Sequence, residues 1–243
     1  MKAERLSRQL TEWIKEKVSE AGNNGVTLGM SGGIDSSVLA VLCQQAFPKD
    51  TLGVIMPCYS DPQDKSHAEE LAKKFGIQTR EVVLDGAFDA LLEALPAYNP
   101  NPEVSRAARA NLKARLRMIT LYYTAQKLNY LVAGSSNRCE ITIGYFTKYG
   151  DGGVDIMPLG NLAKGEVKEL AAYLDIPRSI IDKPPSAGLW AGQTDEDEMG
   201  ISYEILDCYI QTGAAPEDAK GRIESMIAVS GHKRSLPPIA VFD

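Results

Sequence analysis

The chain has 243 residues, 44% hydrophobic and 24% charged, a balance that fits one soluble α/β unit with a core of useful size. Its 26 basic and 32 acidic residues leave a net charge of −6, which argues against a general nucleic-acid or anionic-membrane surface. The four cysteines, Cys43, Cys58, Cys139 and Cys208, form no C-x-x-C pair and have only His67 and His232 to join them, so a zinc site or disulfide framework is not expected.

The N-terminus, Met1 to Ser19, is charged and amphipathic, with Leu6, Leu10, Trp13, Ile14 and Val18 at helical spacing and no signal-peptide core. Gly25 to Met30 reads as a short buried strand, and a glycine turn leads into an apolar helix from Ile34 to Phe47. A second strand is predicted at Thr51 to Met56, a helix at Gln63 to Phe75, and a third strand at Ile77 to Leu84. A helix at Phe88 to Leu95, a loop at Pro96 to Pro102 and a long helix at Glu103 to Lys127 precede a fourth strand at Tyr130 to Ala133. Short strands alternating with helices predict a doubly wound, Rossmann-like parallel sheet with helices on both faces, in a single domain over residues 1–243. Beyond Gly134, Thr142 to Asn161 and Lys183 to Gly200 read as loops, with helices at Gly165 to Leu174, Tyr203 to Gln211 and Pro216 to Val229. No apolar run reaches the roughly 18 residues of a membrane span, so a cytoplasmic protein is expected.

Ligands of such sheets bind beyond the carboxyl ends of the strands, which selects the loops after Met30, Met56 and Gly134. The first of these reads Leu28-Gly29-Met30-Ser31-Gly32-Gly33-Ile34-Asp35-Ser36-Ser37. Two glycines let the backbone approach a ligand, and backbone N–H groups at a helix start form an anion site. Asp35 beside a bare phosphate would be repelled, and makes sense if Mg²⁺ lies between them. The bland alternative is a tight strand–helix turn with serine caps. The loop lacks the lysine of a Walker P-loop.

S-G-G-x-D-S resembles the signature of the ATP pyrophosphatase group, which cleaves ATP between its α- and β-phosphates. Asn111-Leu112-Lys113-Ala114-Arg115-Leu116-Arg117-Met118 and Tyr145-Phe146-Thr147-Lys148-Tyr149-Gly150-Asp151-Gly152-Gly153 resemble the NAD synthetase family within that group. Asp155-Ile156-Met157-Pro158-Leu159, Lys183-Pro184-Pro185-Ser186 and His232-Lys233-Arg234 follow in the family's order. The resemblance implies a ligase that adenylates the carboxylate of deamido-NAD with ATP and lets ammonia displace AMP, leaving NAD, AMP and pyrophosphate. It implies that Gly29, Met30, Ser31, Gly32, Gly33, Ile34, Asp35 and Ser36 cradle ATP phosphates, with Ser135, Lys164 and Ser186 also on ATP. Asp35 and Glu140 would hold Mg²⁺. Arg115, Lys148, Asp155, His232 and Lys233 would bind deamido-NAD. Asp151 would receive or deprotonate ammonia, and Asp151 and Lys164 would be the catalytic pair. A homodimer is implied as well.

Structural alternatives stand beside each role. Asp35 also suits a helix N-cap acid, Glu140 a loop acid, Asp151 an Asx-turn, and Ser135 and Ser186 turn serines. Lys164 opens a helix, where the dipole disfavours a cation and a phosphate partner would explain it. The acidic run Asp195 to Glu198 reads as a solvated loop. Ser135-Ser136-Asn137-Arg138-Cys139-Glu140 departs from the T-D-H-A-A-E run usual in ammonia-using members, which leaves the contacts of Asn137 and Arg138 open. About 27 residues precede the glycine turn, with no room there for the amidase domain of glutamine-using relatives, so free ammonia is the expected nitrogen source. Three rivals are a GMP synthetase-type activator, a tRNA-modifying thiolase and a non-catalytic nucleotide-binding regulator. The first should lack the Phe146 to Gly153 string, the second would want paired cysteines, and intact Asp35, Glu140 and Lys164 argue against the third.

Overall fold

The computed structural model describes residues 2–96, 101–186, 188, 190 and 192–242. Residues 97–100 of the predicted loop at Pro96 to Pro102, and residues 187, 189 and 191 of the one at Lys183 to Gly200, lie outside that description.

Among the described residues the sheet has four parallel strands, β1 (Gly25–Gly29), β2 (Thr51–Ile55), β3 (Gln78–Glu81) and β4 (Tyr130–Ala133), in the order β3-β2-β1-β4. The doubly wound parallel architecture expected from the sequence is the one observed. β1 is central and almost wholly buried, because Val26, Thr27 and Leu28 have helices on both sides. The strand order reverses between β1 and β4, which opens a crevice beyond their carboxyl ends.

One face of the sheet is covered by α1 (Lys2–Glu20), α2 (Ile34–Ala46), α3 (Pro62–Phe75), α7 (Lys164–Tyr173) and α8 (Arg178–Ile181). The sequence of α2 lacks a polar stripe, and the helix is accordingly buried almost all round, against α1, α3 and α7. The other face carries α4 (Asp85–Ala94) and α5 (Pro102–Leu128). α5 starts at the cap residue Asn101, whose Oδ1 accepts from Glu103 N at 2.9 Å, and ends at Asn129 in a left-handed conformation, φ 57°. Leu112, Leu116 and Tyr122 of α5 pack on this second core, whereas Ile119 and Tyr123 of the same helix are 58% and 68% exposed.

A third core gathers α6 (Arg138–Ile143), α9 (Asp195–Met199), α10 (Tyr203–Thr212) and α11 (Glu217–Val229) around Cys139, Ile143, Met199, Leu206 and Ile223. The strand predicted at Ile77 to Leu84 shortens to Gln78–Glu81, all four residues exposed at the sheet edge. Charged side chains there, with Lys65 paired to Glu81 at 2.6 Å, blunt that edge. All four cysteines are free, and no described helix is long and apolar enough to cross a membrane.

Candidate active site

The glycine turn follows β1 directly. Gly32 sits at φ 76° with the Asp64 carbonyl where a Cβ would be, so both its conformation and its neighbour exclude a side chain. The serines knit the loop: Ser31 Oγ lies 3.0 Å from Ser36 Oγ, Ser36 Oγ donates to Gly33 O at 3.0 Å, and Ser37 Oγ to the same carbonyl at 2.9 Å. The residue before α2, Gly33, offers no side-chain cap, so the first N–H groups of α2 face outward at the positive end of the helix dipole. That is an anion site by construction.

The loop after β4 supplies the second wall. Asn137 caps α6 in a reciprocal box with Glu140: Glu140 N donates to Asn137 Oδ1 at 3.1 Å and Asn137 N to Glu140 Oε2 at 3.2 Å. The Asn137 amide then bridges the two candidate metal carboxylates, donating to Asp35 Oδ1 at 3.0 Å and to Glu140 Oε1 at 2.8 Å. Lys164, the first residue of α7 and 2% exposed, brings its ammonium 2.5 Å from Asp35 Oδ2 and 3.9 Å from Glu140 Oε1, with the Tyr203 ring 4.6 Å away. Burial alone would lower the Lys164 pKa, but Asp35 and Glu140 raise it, so the ammonium stays charged. Burial and the Asp35 charge push Glu140 up to about 8. The Asn137 amide holds two hard carboxylates side by side. Such oxygen donors would suit a divalent cation.

These groups line a cavity of about 490 Å³ between β1, β4 and α5. Of the sequence-predicted ATP residues, Gly29, Met30, Ser31, Gly33, Ile34, Asp35, Ser36, Ser135, Lys164 and Ser186 line it, as do Glu140 and Asp151. Gly32 shapes the turn without facing the cavity. Asp151 is exposed at the rim, and its Oδ1 accepts from Thr147 N at 2.9 Å. Surrounding protein raises its carboxyl above the ordinary range, a push that contact with solvent tempers.

The five residues expected on deamido-NAD divide. Lys233 lines the cavity, donating to Gly144 O at 2.8 Å and Phe146 O at 2.9 Å, and burial lowers its pKa. Arg115, Lys148 and His232 form a chain outside it, with Arg115 donating to Lys148 O at 3.2 Å and Lys148 Nζ to His232 O at 2.6 Å. Asp155 is also outside, accepting from Tyr122 OH at 3.0 Å and Val132 N at 2.8 Å.

Several residues escaped the sequence reading. Asp195 was expected in a solvated loop but opens α9 and is 5% exposed, accepting from Tyr203 OH at 3.0 Å and Tyr145 OH at 3.3 Å. Its neighbours Glu196, Asp197 and Glu198 are exposed, as a charge run predicts. Arg117 lines the cavity where Arg115 does not, donating to Met56 O at 3.3 Å and Ser60 Oγ at 3.1 Å. The N-x-x-E box at Asn137 was the one signal in the sequence for its role.

A parallel sheet whose glycine turn, helix start, two carboxylates and buried ammonium meet at the strand ends defines a nucleotide-binding α/β protein equipped to handle phosphate. The NAD synthase family model matches residues 6–237, and the chain belongs to that family. It is 48% identical over 236 residues to an NH₃-dependent NAD⁺ synthetase of Carboxydothermus hydrogenoformans, covering 97% of each chain. Among solved structures, an NMN synthetase from Francisella tularensis superposes with a TM-score of 0.94 at 38% identity over 99% of both chains. An NH₃-dependent NAD synthetase from Campylobacter jejuni superposes with a TM-score of 0.82 at 26% identity, covering 99% of this chain and 100% of that one.

Proposed function

We propose that the protein is an ammonia-dependent NAD synthetase, a ligase that uses ATP to adenylate the carboxylate of deamido-NAD and ammonia to displace AMP. The observation that supports this most strongly is the convergence of Asp35, Glu140 and Lys164 on the glycine turn inside one cavity.

The chemistry follows from charge. Bringing a carboxylate to a triphosphate opposes two anions, so positive charge must surround both reactants. The outward N–H groups at the start of α2 hold the β- and γ-phosphates, and Lys164 carries the charge that develops on the leaving pyrophosphate. Asp35 and Glu140 hold Mg²⁺, which when bound neutralises phosphate oxygens and orients them. The acceptor carboxylate attacks the α-phosphate and pyrophosphate leaves. Ammonia then adds to the acyl carbon, and AMP departs with the bridging oxygen. Asp151, whose carboxyl is raised, takes a proton from the entering nitrogen.

Arg115, Lys148, Asp155 and His232 lie outside the cavity that Lys233 lines, and we assign them to the part of the dinucleotide remote from the reacting carboxylate. A homodimer, a cytoplasmic setting and a single catalytic domain complete the reading. A second acceptor has its own support: the likeness to an NMN synthetase favours nicotinate mononucleotide, which needs only the cavity. Incubation with ATP, Mg²⁺ and ammonium, with each acceptor in turn, separates the two. Amide, AMP and pyrophosphate formed in equal amounts, with the larger kcat/KM for deamido-NAD, is the expected result. A larger kcat/KM for the mononucleotide replaces the acceptor, and ADP with orthophosphate rejects the mechanism.

A further inference from the structure

Helix α10 turns two side chains, four residues apart, toward the charged cluster from behind. The Tyr203 hydroxyl donates to Glu140 Oε1 at 3.3 Å and to Asp195 Oδ2 at 3.0 Å, and its ring lies beneath the Lys164 ammonium. One turn later, Asp207 reaches the roots of the same residues. Its Oδ1 accepts from Lys164 N at 2.9 Å and from the Cys139 thiol, next to Glu140, at 2.8 Å. Its Oδ2 accepts from Gly165 N at 2.7 Å.

The residue before α7 is Ala163, which has no side chain able to cap the helix. The first two N–H groups of α7 therefore find their acceptor on a different helix, and that acceptor is charged. Gly165 leaves the space this requires, since a Cβ there would stand 3.1 Å from Asp207 Oδ2. One carboxylate thus joins the backbone beneath Lys164 to the side chain beside Glu140, across three helices.

We propose that Asp207 is a positioning residue for ATP cleavage, fixing the Lys164 ammonium relative to the Asp35–Glu140 pair. The inference rests on the roles given above to those three groups. Asp207 does not line the cavity and acts through Lys164. A displacement of about 1 Å in a positioned group costs on the order of a hundredfold in rate, so a weakened anchor should register in turnover.

Asp207→Asn tests this, because it replaces one accepting oxygen with an NH₂ group. The expected result is a fall of at least about tenfold in kcat for AMP release and about fivefold weaker Mg²⁺–ATP binding by calorimetry, with KM for ammonium within about twofold. Adding Ala163→Ser to that variant gives α7 a local cap, and should recover melting temperature without recovering kcat. Gly165→Ala keeps the carboxylate but crowds it, and should lower kcat about two- to fivefold in a folded protein even where Asp207→Asn does not fold. Wild-type kcat and ATP affinity in Asp207→Asn, an unchanged kcat in Gly165→Ala, or kcat restored by Ala163→Ser in step with stability would each overturn the proposal. A wild-type protein releasing no AMP counts instead against the proposed function, and the calorimetric comparison still reads Asp207.

Discussion

Lys164 lies against Asp35 and within 3.9 Å of Glu140, and this gives the site its electrostatic logic. Asp35→Ala removes a proposed metal ligand and an ion-pair partner of Lys164 at once, and should lower AMP release at least about a hundredfold whatever the acceptor. Lys148→Ala should instead raise KM for deamido-NAD with little change in kcat, as loss of uniform binding does. Steady-state kinetics with both nucleotides varied checks the pair. Glu140 supplies a pH test. Its folded pKa, raised to about 8, exceeds the ordinary value of 4.5, so between them the folded state keeps a proton the unfolded state has lost. Without metal its contribution to stability therefore falls as pH rises through that window. Mg²⁺ held by Glu140, as proposed, would expel the proton, so the gain in melting temperature on adding Mg²⁺ should grow from about pH 6 to about pH 9. A constant gain would remove Glu140 from the metal site. Asp35 and Glu140 could be placed after two strands from the sequence, and Lys164 at the start of a helix; that the three meet in one cavity could not. Asp195 was not, because a run of acids reads as solvated when what buries its first member, Tyr203 beyond a helix end and Tyr145 fifty residues earlier, leaves no mark on the run itself.

At the scale of elements, the turn between β1 and α2 depends on a backbone only glycine adopts easily. Gly32→Ala meets both the left-handed conformation and the Asp64 carbonyl, and should cost at least about 1–2 kcal/mol of stability. Denaturant unfolding measures that, and ATP affinity should fall with it. The strand–helix alternation was readable from apolar periodicity, and β1, β2, α2 and β4 stand close to their predicted places. β3 came out shorter because an edge strand of Gln, Thr, Arg and Glu has no apolar alternation to mark its ends. α9 was hidden within a predicted loop because five residues with four acids show no helical period; its cap Thr194, accepting from Asp197 N at 3.2 Å, was the local cue. Lys183, at the start of that stretch, pairs with Asp64, which ties the segment to α3 beside the glycine turn.

For the molecule as a whole, the sheet places the glycine turn, α7 brings Lys164 to it, and the third helical core brings Glu140 and Asp195. Arg115, Lys148 and His232 follow one another on the surface rather than in the cavity, a separation no sequence motif could reveal, since it depends on how the Tyr145 to Gly153 loop lies against the 3-10 turn at Gly231–Lys233. The exposed Ile119 and Tyr123 of α5 offer apolar surface for a second copy. Sedimentation should give a dimer, and Tyr123→Glu should shift it toward monomer; a monomeric wild-type protein would contradict that assignment. The proposed reaction turns on attack by the acceptor carboxylate on the α-phosphate of ATP. It is tested most directly by carrying out the reaction with deamido-NAD labelled with ¹⁸O in both carboxylate oxygens. One labelled oxygen should appear in the AMP released and one in the amide. Label in pyrophosphate or orthophosphate, or AMP without label, would contradict it.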